Sequence, residues 1–191
     1  MAFALPIPDE ANELLSRDPL ALFIGMTLDQ QIPLEKAFTS PWVLGQRLGH
    51  EPAAQEIADF DPEALVEIFA TPPALHRFPK AMAARVQEVC RVIVGEYDGD
   101  PAAIWTGATD GADLLRRVLG LPGFGRQKAQ IFVALLGKQC GVRPEGWREA
   151  AGAYGEEGSH RSVADIVDPE SLVKVRTFKK QMKAEAKAAK S

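Results

Sequence analysis

Apolar residues recur three and four positions apart along most of the chain, which is the spacing of one face of an α-helix. Several of these runs follow an Asp-Pro pair. Such a pair is a helix-start signal, because Asp caps the first turn and Pro fits the first helical position. The pairs are Asp18-Pro19, Asp61-Pro62, Asp100-Pro101 and Asp168-Pro169. No period-two alternation is long enough for a sheet, so the pattern predicts an all-α fold with short turns.

The remaining helix predictions come from the apolar spacing alone. They cover about residues 10–15, 34–38, 42–48, 80–97, 110–119, 125–138 and 147–153, and the last Asp-Pro pair opens a helix over 169–187. The segment from 139 to 160 is rich in Gly and charge, and we predict that it is the main irregular loop.

Composition places the chain among globular proteins, with 46% hydrophobic and 25% charged residues. The longest apolar run is too short to span a bilayer, and the first residues lack the basic flank and apolar core of a signal peptide. We therefore expect a cytoplasmic protein. Only Cys90 and Cys140 are present, so the chain cannot build a four-thiolate iron–sulfur cluster or an all-Cys zinc site.

The net charge of −4 is unevenly distributed. Residues 173–191 contain seven Lys or Arg and one Glu, which leaves about −10 on the other 172 residues. Any contact with nucleic acid must therefore be local. The basic tail is interpreted equally well as part of such a contact or as a frayed, solvated helix end.

The run Leu121-Pro122-Gly123-Phe124-Gly125-Arg126-Gln127-Lys128 is the most informative in the chain, because it joins two helical patterns. Its proline and glycines allow a sharp turn. Gly125 opens the second helix, where unpaired N–H groups at the positive end of the helix dipole suit a phosphate oxygen. Arg126 and Lys128 add positive charge. The run predicts a helix-hairpin-helix that grips a nucleic-acid backbone without reading sequence, and the alternative is an ordinary αα-hairpin.

Three segments in order resemble the helix-hairpin-helix Gly/Pro-Asp superfamily of DNA glycosylases, which includes endonuclease III and the 3-methyladenine glycosylases. They are Leu28-Asp29-Gln30-Gln31-Ile32-Pro33, Phe78-Pro79-Lys80-Ala81 and the hairpin run 121–129. The resemblance implies base-excision repair, with two helical lobes and a cleft that receives a base flipped out of the duplex. We divide the single unit into a lobe of residues 19–138 and a second lobe of 1–18 with 139–191.

The Gln-Gln element has a role in the family. A Gln at the position of Gln31 wedges into the gap that the flipped base leaves, so we assign DNA contact to Gln31, and with less weight to Gln30. The alternative is that both residues simply hydrogen-bond across a helix junction.

Catalysis is where the chain departs from the family pattern. Bifunctional members carry a Schiff-base Lys where this chain has Gln127, and Lys128 lies about 100° further round the helix and is expected to face elsewhere. Lyase activity is therefore disfavoured. The catalytic Asp of the family is also missing, and Glu145, eighteen residues beyond Gln127, occupies its expected place. Glu145 is either this carboxylate or a surface residue near a helix start.

Trp147, in a Gly-flanked loop, is the aromatic that we assign to the base pocket, against the alternative of a core residue. No side-chain metal site is predicted. The resemblance permits a monovalent cation held by backbone carbonyls of the hairpin.

The leading hypothesis is a monofunctional DNA glycosylase, a monomer that binds duplex DNA mainly through phosphates and associates with the nucleoid. The first alternative is a DNA-binding protein of the same fold that recognises lesions without catalysis. The second is a helical scaffold in which the hairpin binds protein, which the acidic body would fit.

Overall fold

The computed structural model describes residues 3–190, and every regular element in that range is helical. The helices are α1 (Asp9–Arg17), α2 (Pro19–Leu28), α3 (Leu34–Leu48), α4 (Ala54–Asp59), α5 (Pro62–Ala70), α6 (Pro79–Tyr97), α7 (Ala103–Thr106), α8 (Gly111–Leu119), α9 (Arg126–Gln139), α10 (Trp147–Ala151) and α11 (Pro169–Ala188), with single-turn 3-10 helices at Gly152–Gly155 and Val163–Asp165. The predicted all-α fold is confirmed. No helix in the described range is both long enough and apolar enough to cross a membrane.

Three of the four Asp-Pro pairs start helices as predicted. Asp18, Asp61 and Asp168 each accept a hydrogen bond from a backbone N–H in the first turn of α2, α5 and α11. Asp100 differs, because its carboxylate accepts from Ala102 N at 2.9 Å within a turn, and the helix that follows is a single turn. The same pair is therefore followed by a helix of nine residues or more at three positions and by a single turn at the fourth.

Tertiary packing overrides two other local signals. The two helices predicted on either side of Pro41 are one continuous helix, α3, whose buried face packs on α2. The short helix α4 was not predicted, and a distant residue supports its C-terminal end: the Gln87 side chain donates to the carbonyls of Ile57 and Phe60.

The core is one continuous cluster centred on α2, in which every residue from Leu20 to Leu28 is buried. Phe23 joins α2 to the later helices: its ring centroid lies 4.7 Å from that of Phe132 on α9 and 5.8 Å from that of Trp105. Phe124, at the α8–α9 turn, packs edge-on against the same ring. This aromatic cluster fixes α9 relative to α2, and so positions the site described below.

Helices near the two ends of the described chain have different neighbours. Helix α1 packs on α2 and α3, whereas α10 and both 3-10 helices pack on α9. Within the described range, residues 3–18 and the elements of 139–190 therefore pack on different helices, and the division into two lobes stays a prediction. Helix α1 has this position because its apolar face, including Leu14 and Leu15, is buried beside the neighbouring helices in the chain.

Candidate nucleic-acid interface

The hairpin formed by α8, the turn at 120–125 and α9 is anchored by its apolar residues. Leu121 and Phe124 are buried, and Phe124 N donates to Leu121 O at 3.1 Å. Gly123 has φ of +80°, a left-handed conformation that favours glycine. The side chain of Arg85 lies against it, 2.9 Å from where a Cβ would be. The turn is therefore held rigidly from the inside, while its outer surface stays exposed.

The N-terminus of α9 is open toward solvent. Gly125 is its N-cap residue, and no side chain caps the first turn. A Cβ placed on Gly125 would meet nothing within 4 Å, and Arg126 beside it is exposed. The first N–H groups of α9 thus have space in front of them for an anion.

A groove of about 640 Å³ lies beside this first turn. Three parts of the chain form most of its walls: the α2–α3 junction, α9 and the C-terminal helix α11. Its lining residues are Met26, Asp29, Gln30, Gln31, Ile32, Gln127, Lys128, Ile131, Ala153, Tyr154, Arg161, Phe178, Lys179 and Met182. The structure thus brings together the Gln-Gln element and the start of the second hairpin helix, which are almost one hundred residues apart in sequence.

Gln30 and Gln31 differ in their surroundings. The amide of Gln30 lies 3.0 Å from Met82 Sδ, which ties it to α6. Gln31 is exposed, its side chain has no partner among residues 3–190, and its φ of +57° is an uncommon conformation for a residue with a Cβ. Such backbone strain is a feature of functional sites. Gln31 is therefore the residue of the pair that can reach a ligand.

His76 holds the α2–α3 junction in place. Its Nε2–H donates to the carbonyls of Leu28 and Gln30, at 3.1 and 2.9 Å, and its Nδ1 accepts from Phe78 N at 3.0 Å. This arrangement needs the neutral ring, and burial lowers the pKa of His76 in agreement. The segment Phe78–Ala81, which contributed to the family resemblance, thus begins beside the residue that supports Gln31.

Gln127 and Lys128 line the same groove, so the expectation that Lys128 faces elsewhere is wrong. Gln127 Nε2 donates to Tyr154 Oη at 2.9 Å, and Lys128 Nζ donates to Thr27 O at 3.1 Å. The long Lys side chain reaches back across the start of α9, which compensates for the angle between the two positions. Burial lowers the pKa of Lys128, and the nearby Asp29 carboxylate opposes this shift.

Asp29 is the one carboxylate among the groove-lining residues. It is half-buried, and its side chain has no hydrogen-bond partner in the described part of the chain. Burial raises the pKa of Asp29, whereas Lys179 and Lys128 lower it and Glu35 raises it further. Asp29 also follows the C-terminus of α2, where the helix dipole disfavours a negative charge. A carboxylate in such surroundings is a candidate for function rather than for stability.

Glu145 lies outside the groove. It is exposed, and its backbone carbonyl accepts from Gly111 N at 2.7 Å, at the start of α8. The length of α8, roughly 12 Å, separates this contact from the hairpin turn. The loop after α9 folds back on the far end of the hairpin, so the position inferred for the catalytic carboxylate is not supported.

Trp147 is a core residue rather than part of a base pocket. Only 8% of it is exposed, and its ring covers Gly137, where a Cβ would lie 2.3 Å from Cε3. The aromatic side chains that do line the groove are Tyr154 and Phe178.

Sequence reasoning missed Asp29, Tyr154 and Lys179 as members of one site. Asp29 precedes Gln30 and Gln31 in the segment 28–33, but nothing in that segment indicated that its side chain faces a groove. Tyr154 and Lys179 lie in segments interpreted as loop and tail, and no local signal places either beside α9. Tyr154 comes there because the first 3-10 helix packs on α9, and Lys179 because α11 packs on the second 3-10 helix.

No protein-family model, characterised protein or solved structure matches the chain. Among residues 3–190, no group of three or more His, Cys, Asp or Glu side chains is arranged to hold a metal ion. The monovalent cation at the hairpin stays a prediction.

Proposed function

We propose that the protein is a monofunctional DNA glycosylase-like enzyme of base-excision repair. It binds duplex DNA through the α8–α9 turn and hydrolyses the N-glycosidic bond of a damaged or mispaired base that has been flipped into the groove. The observation that carries the proposal is the convergence, in one groove, of Gln31, the start of α9 and a desolvated carboxylate, Asp29.

The surroundings of the groove fit a nucleotide drawn out of a duplex. Phosphates flanking it meet the open first turn of α9 beside Arg126, and Gln31 is free to enter the gap in the base stack. Tyr154 and Phe178 offer aromatic faces against which a base stacks. The groove is large enough for such a ligand, since small-molecule sites usually occupy about 300–1,000 Å³.

Asp29 takes the chemical role that the sequence assigned to Glu145. The bond between C1′ of the deoxyribose and the base nitrogen breaks, and its electron pair leaves with the base. The Asp29 carboxylate stabilises the positive charge that develops on the sugar. It then takes a proton from the water that adds to C1′, and the departing base receives a proton from solvent. Lys128 and Lys179 favour the ionised form of Asp29 that this role needs.

Hydrolysis without strand cleavage remains the proposal, although Lys128 lines the groove. Gln127 cannot form an imine, and the Lys128 ammonium is engaged by the carbonyl of Thr27. The protein acts as a monomer on DNA in the cytoplasm, associated with the nucleoid. Recognition of lesions without catalysis is the alternative, favoured by the position of Glu145 outside the groove.

A panel of duplexes, each with one alkylated, oxidised, deaminated or mispaired base, tests the activity. We expect release of at least one base, detected as strand cleavage after alkali, and no covalent complex on borohydride treatment. Binding without release from any duplex would favour the alternative function. A trapped complex that disappears in Lys128→Gln would instead assign lyase chemistry to Lys128.

The phosphate contact at the turn is tested with Gly125→Ala. The backbone at Gly125 has a φ of −70° and a Cβ there has open space, so the variant should fold normally while its methyl group obstructs an approaching phosphate. We expect duplex affinity to fall about tenfold, the loss of roughly one charge-assisted hydrogen bond.

Gly95→Ala is the matched control, because Gly95 is also exposed and a Cβ there also meets nothing within 4 Å. Its affinity should equal that of the wild type. Equal affinities of both variants, measured by fluorescence anisotropy at one salt concentration, would refute phosphate binding at the turn. Gly123 is unsuitable for this test, since its positive φ would confound binding with folding.

A further inference from the structure

The charges of the C-terminal helix α11 are separated onto opposite faces. At 100° per residue, Arg176, Lys179, Lys180, Lys183 and Lys187 fall within about 100° of arc. Glu170, Lys174 and Glu185 lie on the other side, and Lys174 is paired with Glu170 at 2.6 Å. A helix whose charge served solubility alone would not need this separation.

The cationic face borders the groove. Phe178, Lys179 and Met182 of α11 line the same groove as Gln127 and Lys128 at the start of α9. Two contacts fix the helix there: an ion pair between Arg176 and Glu35 at the start of α3, and the Arg161 guanidinium 5.1 Å from the Phe178 ring centroid. The helix is thus held against the body as far as Phe178.

Beyond Phe178 the helix runs without burial against the body, and residues 179–188 are all exposed. Ten such exposed residues would be marginally helical in water by themselves. The stretch from Arg176 to Lys187 is roughly 16 Å long, which matches the axial rise of about five phosphates on one DNA strand. Charge and length therefore both fit a nucleic-acid backbone.

We propose that the cationic face of α11 is a second DNA-binding element, which binds backbone phosphates along the α11 wall of the groove, apart from the α8–α9 turn. This inference rests on the proposed binding of duplex DNA at the groove. Phosphate contacts at the α8–α9 turn and at α11 together orient the duplex, so that a nucleotide between them is directed toward Gln31 and Asp29. Because the acidic remainder of the chain repels DNA, the contact at α11 also confines binding to this orientation.

The test is the salt dependence of duplex affinity in the series Lys183→Gln, Lys179→Gln/Lys183→Gln and Lys179→Gln/Lys180→Gln/Lys183→Gln. The logarithm of the affinity falls linearly with the logarithm of the salt concentration, and each lost phosphate contact should make this slope less steep by about 0.9. Lys174→Gln is the matched control on the same helix, because it removes one charge from the opposite face, and its slope should equal that of the wild type.

The outcomes separate the two proposals. If the wild type binds duplex DNA and the slope is unchanged throughout the series, or falls equally in Lys174→Gln, the role of α11 is wrong and the turn can still bind. If the wild type itself shows no salt-sensitive binding, the proposed function fails. Helical content, measured by circular dichroism, should stay constant across the variants, since Gln has nearly the helix propensity of Lys.

Discussion

Asp29→Asn is expected to slow base release by about 100-fold or more, the usual contribution of a positioned acid–base group. The amide keeps the size of the side chain but can neither balance the charge on the sugar nor accept a proton. Duplex affinity should change little, because the substitution removes no phosphate contact. Single-turnover release from the reactive duplex, with affinity measured in parallel, separates the two effects.

Stability supplies an independent check on Asp29→Asn. The pKa of Asp29 is raised in the folded protein, so the ionised group opposes folding once the pH exceeds the pKa of the unfolded chain. The variant should therefore be slower and, at neutral pH, slightly more stable. The wild-type rate should fall as the pH drops through this raised pKa, because only the carboxylate is active.

Glu145→Gln is the control for the position of the carboxylate. It neutralises an exposed carboxylate outside the groove, and both its rate and its stability should equal those of the wild type. Loss of activity in Glu145→Gln, together with normal activity in Asp29→Asn, would assign the catalytic role to Glu145 instead of Asp29.

Trp147→Ala is expected to lower the free energy of unfolding by about 3–5 kcal/mol, as for other large buried aromatics. The indole packs directly on Gly137 of α9, so its removal leaves a cavity at the contact between α9 and α10. Urea denaturation followed by circular dichroism measures the change. The fraction of the variant that stays folded should release the same damaged base as the wild type.

Phe78→Ala provides the comparison for Trp147, since Phe78 is 43% exposed and should lose far less stability. A Trp147→Ala protein of normal stability with altered base preference would restore the base-pocket interpretation. Altered base preference is instead expected from substitutions at Tyr154 or Phe178, which line the groove.

The sequence determined the helical class, most helix positions and the hairpin turn, because these depend on contacts within a few residues. An Asp that caps its own helix, or a Gly that needs a positive φ, acts through the adjacent backbone. The assignment of Gln31 to DNA contact came instead from the family resemblance of the short motifs.

The tertiary structure decided which side chains share the groove. Asp29, Lys128, Tyr154 and Lys179 meet there because the aromatic cluster around Phe23 fixes α9 on α2, and because α11 forms one wall of the groove. Glu145 is absent because the loop after α9 follows Trp147 into the space above Gly137. These outcomes depend on the packing of residues far apart in the chain, and no local pattern encodes on which side of a helix a distant segment comes to lie.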